Sequence, residues 1–350
     1  MKKASGIVSV ALPFTAGTVA AALVSSPFCT ALAGSALAAA AFILSLLLRQ
    51  PRLPVALLFA ALGAVCWSTS ALSGSPRLPT FPRGADMLEK AIAAAGFPGE
   101  NSGAIITALL TGRRNGLPRA TVEAFRRSGA SHILALSGLH LGIIYSLLRR
   151  LLSPIGNTPP ARTLRSTATV SLCGAYALAT GAGPSIVRAL LFIIIGEIGR
   201  ACSQRKTSPA GTFCTALTVQ LALQPSLIAS AGFQMSYLAM LGITALFPRL
   251  DAWYPQSGRP DPLRRTWRAA ALSISCQLFT APVAWWHFRT FPKYFLLTNL
   301  LSLPLAEAVI VTAVASLLLA AAGLCPPALI SACGKLTVLL ESCLETIASI

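Results

Sequence analysis

Long apolar runs, many of them near 20 residues, limit what this chain can fold into more tightly than any other feature. A helix crossing about 30 Å of hydrocarbon needs roughly 20 largely apolar residues. Such runs fall at 6–25, 31–48, 55–73, 132–151, 166–183, 184–199, 210–224, 226–247, 269–287 and 294–323, with a last apolar segment at 327–350. Of the 350 residues, 55% are hydrophobic and 11% charged, and mean hydropathy is +0.70. A soluble domain carries about 25% charged residues. The sequence therefore predicts an all-α, polytopic transmembrane helical bundle of about ten spans, and a soluble globular domain is excluded.

The formal net charge is +18, from 28 Lys+Arg against 10 Asp+Glu. In a soluble protein this would suggest a nucleic-acid binder; in a membrane protein position has to decide, because cations collect on the cytoplasmic side. With the N-terminus inside, the inside segments carry Lys2, Lys3, Arg49, Arg52, Arg149, Arg150, Arg162, Arg165, Arg200, Arg205, Lys206, Arg249, Arg259, Arg264, Arg265 and Arg268. The short outside turns carry Arg289 and Lys293. This bias predicts an inside N-terminus. Lys2-Lys3 before an apolar run also fits a cleaved signal peptide, but the second run follows so closely that a helical hairpin is favoured. The 9 cysteines are scattered singly, without a CxxC pair or zinc spacing, and with 3 His and 10 acids a multi-ligand metal centre is not expected. No GxxxxGK[ST] loop occurs. Neither a cofactor nor an enzymatic activity is expected.

Three regions follow from the spacing: a three-span segment at 1–73, a connection at 74–131, and a membrane region at 132–350. The connection lies outside by alternation yet breaks the charge rule. It holds Arg77, Arg83, Lys90, Arg113, Arg114, Arg119, Arg126 and Arg127 against Asp86, Glu89, Glu100 and Glu123. Pro118 suits a first helical turn, Val122 and Phe125 make an apolar edge, and Glu123 precedes Arg126 and Arg127 by three and four residues. The expectation is a basic amphipathic helix on the outer membrane surface. Its cations either attract lipid headgroups or capture an anionic polymer, with Arg113, Arg114, Arg119, Arg126 and Arg127 as the capturing residues.

Polar groups inside apolar runs are costly in lipid, so they point to function. The fourth span places Ser137 and His140 on one face, and Gly138 and Gly142 permit close helix approach. This suggests a packed polar junction or a pore wall, the alternative being an interhelical hydrogen bond of structural value. Gly183-Pro184-Ser185 opens the sixth span, with Arg188 about one turn inside. Glu197 lies nine residues on, on the opposite face, so the two do not pair. Ser273, Gln277 and Thr280 form a polar stripe on the ninth span, and the eighth offers Gln234. The stretch 294–323 is too long to cross straight. Pro304 predicts a broken helix there, freeing backbone beside Asn299 and Ser302 and placing Glu307 near mid-membrane; a plain kink is the alternative.

These landmarks, in this order, resemble the ComEC-type DNA-internalisation family. The residues that carry the resemblance are Ala108-Leu-Leu-Thr-Gly112, Phe125-Arg-Arg-Ser-Gly129-Ala-Ser-His132, Ser137-Gly138-Leu139-His140, Gly183-Pro184-Ser185-Ile-Val-Arg188, Gly232-Phe233-Gln234, Pro282, and Asn299 through Pro304-Leu305. The resemblance runs from about 104 to about 310. It implies that 132–350 is a competence-type channel domain of the bacterial cytoplasmic membrane, passing one DNA strand inward during natural transformation. Ser137, Gly138, His140, Arg188, Gln234, Gln277, Asn299 and Glu307 would line or brace the path. It also implies partners on other chains: a DNA receptor and a helicase or translocase to drive transport. Larger members carry an extracytoplasmic OB-like domain, where this chain has the short basic stretch 74–103. Many carry a metallo-β-lactamase-like domain, but no HxHxDH-type cluster occurs here, so strand degradation is not expected of this polypeptide. Two other readings compete. A secondary transporter of a small anionic solute would use Arg188 for substrate and Glu307 or His140 for protons. A membrane hydrolase would use Ser137 and His140, although no acid in that segment orients the imidazole.

Overall fold

The computed structural model describes residues 2–24, 26–47, 52–74, 81–156, 158–203, 208–255 and 261–350. Arg49, Arg77, Arg205, Lys206 and Arg259, and the side chains of Lys2 and Lys3, lie outside the described residues. Among the described residues there is no strand. The helices are α1 Lys2–Leu23, α2 Pro27–Leu47, α3 Arg52–Ser73, α4 Pro82–Ala95, α5 Ser102–Thr111 and α6 Arg119–Arg127. Then come α7 Ser131–Leu134, α8 Gly138–Leu151, α9 Pro159–Ala179, α10 Pro184–Ser203 and α11 Pro209–Leu223. The last are α12 Ala231–Ala245, α13 Phe247–Asp251, α14 Pro262–Phe288, α15 Phe295–Ala321 and α16 Pro327–Ser349.

Among the described residues, five helices are both long and apolar enough to cross a membrane: α1, α2, α3, α15 and α16. About ten were expected from the apolar runs. Two physical causes separate the rest. Helices α8, α11 and α12 have 14, 15 and 15 residues, so each is only about 21–23 Å long at 1.5 Å per residue. Helix α10 has 20 residues but carries Arg188, Glu197 and Arg200, whereas α9 and α14, of 21 and 27 residues, carry arginines only in their first two turns and are made less apolar beyond them by Thr167, Thr169 and Ser171 and by Ser273, Ser275 and Gln277.

The chain divides into two compact units, 1–78 with 191–240, and 79–190 with 241–350. The first is built on close packing of small residues, because between helices in lipid van der Waals contact replaces the hydrophobic drive. A Cβ on Gly17 would lie 1.8 Å from the Ala60 carbonyl oxygen, and one on Gly63 would lie 2.1 Å from that of Phe14. Only glycine lets α1 and α3 approach so closely. Between α2 and α3, Thr30 and Ser68 share a 2.7 Å hydroxyl contact. Phe14 of α1 joins Leu217, Leu221, Phe233 and Tyr237 in a buried cluster, and the Tyr237 hydroxyl donates to Gln220 Oε1 at 2.9 Å.

In the second unit the connection after the third span becomes core. On α5, Ile105, Ile106, Ala108, Leu109 and Leu110 are at most 1% exposed, and they pack with Ile310 of α15 and Leu340 and Leu344 of α16. Gly112 ends α5 in the left-handed region, φ 75°, its N–H returning to Ala108 O at 2.9 Å; here glycine is the residue that makes the turn cheap. The Tyr176 hydroxyl donates to the freed Leu110 carbonyl at 2.7 Å.

Helix α15 runs unbroken from Phe295 to Ala321 with Pro304 inside it, so the expected break near Pro304 does not occur. Proline removes one donor, but Ser302, Ala306, Val309, Ile310 and Ala313 are all buried along one side. Packing of that side holds the helix continuous, as neighbouring helices do for proline in membranes. The expected single span 132–151 is instead interrupted: α7 is one turn, Ala135 is extended (φ −84°, ψ 125°), and α8 starts afresh at Gly138.

Candidate functional site

The restart at Ser137 builds the site. Ser137 has extended backbone, φ −122° and ψ 170°, and caps α8. Its Oγ accepts from Leu139 N–H at 3.3 Å and lies 3.0 Å from His140 Nδ1. The Ser137 N–H donates to His140 Nδ1 at 3.2 Å. This is a capping box with histidine in the place usually held by Glu or Gln. Ser137 and His140 therefore sit at a helix start rather than in mid-helix.

The box also fixes the imidazole. Nδ1 accepts a backbone N–H, so in the neutral ring the proton is on Nε2. His140 is 1% exposed, and Nε2 is buried without a hydrogen-bond partner among the described residues. A buried donor without an acceptor costs about 1–3 kcal/mol.

Arg188 completes the cluster. It lies in the first turns of α10 and is 9% exposed. Its Nη2 rests 2.9 Å from where a Cβ on Gly138 would be, with Ala189 Cβ at 3.3 Å from the same point. Gly138 is thus the close-approach glycine; Gly142 has nothing within 4 Å among the described residues. A guanidinium against a helix N-terminus is electrostatically unfavourable, because the helix end already carries about half a positive charge. Arg188 Nη2, the first N–H groups of α8 and the Nε2–H of His140 are donors gathered at this helix start, with Ser137 Oγ and the Ser185 carbonyl oxygen as acceptors beside them. An anion or a strongly polarised oxygen is what such a set accommodates.

The other expected path residues each have surroundings of their own. Gln277 lines an open groove of about 460 Å³ between α14 and α15 with Ile274, Leu278, Ala281, Pro282, Trp285, Phe291 and Phe295. Asn299 is half-buried, its Oδ1 enclosed without a hydrogen-bond partner. Glu307 is on the exposed side of α15. Gln234 belongs to the first unit, where its Nε2 donates to Ile228 O at 2.8 Å. Glu197 takes Arg200, 2.9 Å away.

The basic surface is partly neutralised from within. Arg113 pairs with Asp86 and, at 3.0 Å, with Glu89, and these acids push its pKa up further. Glu123 binds Arg126 at 2.8 Å and Arg127 at 2.9 Å. Hydrogen bonds from Arg126 and then Arg127 hold the Glu123 carboxyl down at about 2. Arg114 and Arg119 are exposed and make no ion pair among the described residues. The apolar edge of α6 is used by protein, since Phe125 is 1% exposed in the core shared with α15 and α16.

Sequence reasoning missed the turn between α14 and α15. Trp285, Trp286, Phe288 and Phe291 are exposed there beside Arg289 and Lys293. The density of aromatic letters in 285–295 was the available signal.

A model of the family described as "Competence protein" matches residues 109–350. ComE operon protein 3 of Bacillus subtilis (strain 168) is 28% identical over 211 residues, 59% of this chain and 25% of that protein. The chain thus spans about a quarter of the length of the relative it matches. No solved structure matches it. The matched region takes in the end of α5, the capped restart at Ser137–His140 and Arg188, and on that span the chain belongs to the competence-protein family.

Proposed function

We propose that this chain forms part of a conduit that passes single-stranded DNA across the bacterial cytoplasmic membrane during DNA uptake, with its N-terminus inside. The observation that carries the reading is the gathering of donors near Gly138, where Arg188 Nη2 meets the capped N-terminus of α8. Phosphodiester oxygens are acceptors without protons, so they suit Arg188, the α8 N-terminus and His140 Nε2–H together, whatever the base sequence. Membership of the competence-protein family supports the same substrate. Exposed Arg114 and Arg119 are the cations best placed to meet DNA first. The chain acts as a passage rather than an enzyme, and a DNA receptor and a helicase or translocase on other chains supply capture and drive. A small-anion transporter would use the same donors, but it loses support because Glu307, one of its proton carriers, lies on the exposed side of α15.

The test is uptake of labelled DNA by cells expressing His140→Leu or Arg188→Leu at matched membrane levels. Both substitutions remove a costly polar group, so a structural burden would be relieved, while a phosphate path loses its donor. Uptake should fall by at least about tenfold, the equivalent of about 1.4 kcal/mol. Normal uptake in both variants overturns the reading.

A further inference from the structure

We propose that the turn joining α14 to α15, with the adjoining end of α6, is a stacking platform for the unpaired bases of a nucleic-acid strand, an inference that rests on DNA being the substrate. Between residues 285 and 295 stand Trp285, Trp286, Phe288, Phe291, Tyr294 and Phe295, in a chain that is 7% aromatic overall. Trp286 is 73% exposed, and Trp285 and Phe288 are each 53% exposed.

The backbone of this turn is an independent observation. Arg289 caps α14 in the left-handed region, φ 53° and ψ 26°, where glycine is the usual residue. The sequence puts a cation there instead, and its guanidinium lies 6.0 Å from the Trp286 ring centroid. A conformation that L residues avoid is tolerated where the side chain is used.

Contacts then join the turn to the basic helix. A Cβ on Gly129 would lie 2.5 Å from Pro292 Cβ, and Thr298 Oγ1 donates to Ser128 O at 2.6 Å. The C-terminal end of α6, with Arg126 and Arg127 each 67% exposed, therefore abuts the aromatic turn. Cations that track phosphates beside rings that take bases are the chemistry of single-strand binding. An interfacial aromatic belt would spread such rings over many helix ends. Here α1, α3 and α16 carry no aromatic residue in their first or last turn and α2 carries one, Phe28, whereas this turn gathers six.

The experiment uses the full chain in phosphatidylcholine nanodiscs and two probes of equal charge. One is an oligothymidylate of about 20 nucleotides and the other an abasic phosphodeoxyribose polymer of the same length. Wild type should bind the oligothymidylate more tightly. Trp286→Ala and Phe288→Ala should each weaken it about tenfold and leave the abasic polymer unchanged, while Trp286→Phe, which keeps a ring, should stay near wild type. Equal binding of the two probes by wild type overturns the platform and leaves the phosphate reading standing. Failure of both probes to bind overturns the two together. If Trp286→Ala and Phe288→Ala both leave oligothymidylate binding intact, the rings belong to the membrane interface and the platform is overturned.

Discussion

At Gly138 an added methyl group would meet the movable end of a side chain, Arg188 Nη2 at 2.9 Å; at Gly242 it would meet the Ser275 carbonyl oxygen at 2.3 Å. The two sites should respond differently to alanine. A guanidinium can swing aside, so Gly138→Ala should fold, insert and displace Arg188, cutting DNA uptake severalfold at normal membrane levels. A helix carbonyl cannot, so Gly242→Ala should lower the stability of the purified protein by roughly 1–3 kcal/mol, as overpacking does. Thermal unfolding in detergent, read beside uptake, separates the cases; reduced stability in Gly138→Ala would make that glycine structural. The individual members of this site were legible in the sequence, because Ser137, His140 and Arg188 are polar where polarity is costly. Their arrangement was not. Ile133, Leu134, Leu139 and Leu141 flank Ser137 and keep the run apolar, so a helix stop and restart look like one span. Gln277 and Asn299 were chosen by the same polarity rule, yet the fold turns them to other surroundings.

Among the elements, long apolar helices were easily read, and α15 and α16 match their expected runs within a few residues. Short ones were not, because α5 is as apolar as a span at ten residues and gains its place from tertiary packing that no local pattern encodes. The course of α6 and the pairing of Glu123 with Arg126 and Arg127 were legible, because spacings of three and four residues are intrinsic to a helix; the packing of its Phe125 edge into the protein core was not. That pairing limits how α6 meets an anionic polymer. Glu123→Gln removes the competitor for two cations and should strengthen binding of single-stranded DNA and steepen its salt dependence, each phosphate contact adding about 0.7 to the slope. Neutralising Arg114 and Arg119 should weaken binding more than neutralising Arg113, which Asp86 and Glu89 already occupy. The pH behaviour follows from the depressed Glu123 carboxyl. Its folded value of about 2 lies below the ordinary 4.5, so the stabilising pairs are fully present above 4.5 and are lost only as pH falls towards 2. Binding by α6 should therefore be flat between about pH 7 and pH 5. A rise over that interval, or an unchanged slope in Glu123→Gln, contradicts the assignment.

For the whole molecule the strongest constraint is the sign of charge on each side of the membrane. Arg264, Arg265 and Arg268 open α14, and the aromatic turn with Arg289 and Lys293 closes it. In the proposed topology, positive-inside bias would set the N-terminal end of this helix in the cytoplasm. The contact between Gly129 and Pro292 places the α6–α7 junction beside the far end of α14. With the N-terminus inside, the three helices α1, α2 and α3 would put residues 74–131 on that same outer side. Single cysteines introduced in a cysteine-free background at Arg119 and Arg265, both exposed, should react with a membrane-impermeant maleimide from opposite sides. Arg119→Cys should label in intact cells, and Arg265→Cys only after permeabilisation. Labelling of both from one side would break the topology, and with it the assignment of α6 as the first surface that incoming DNA meets.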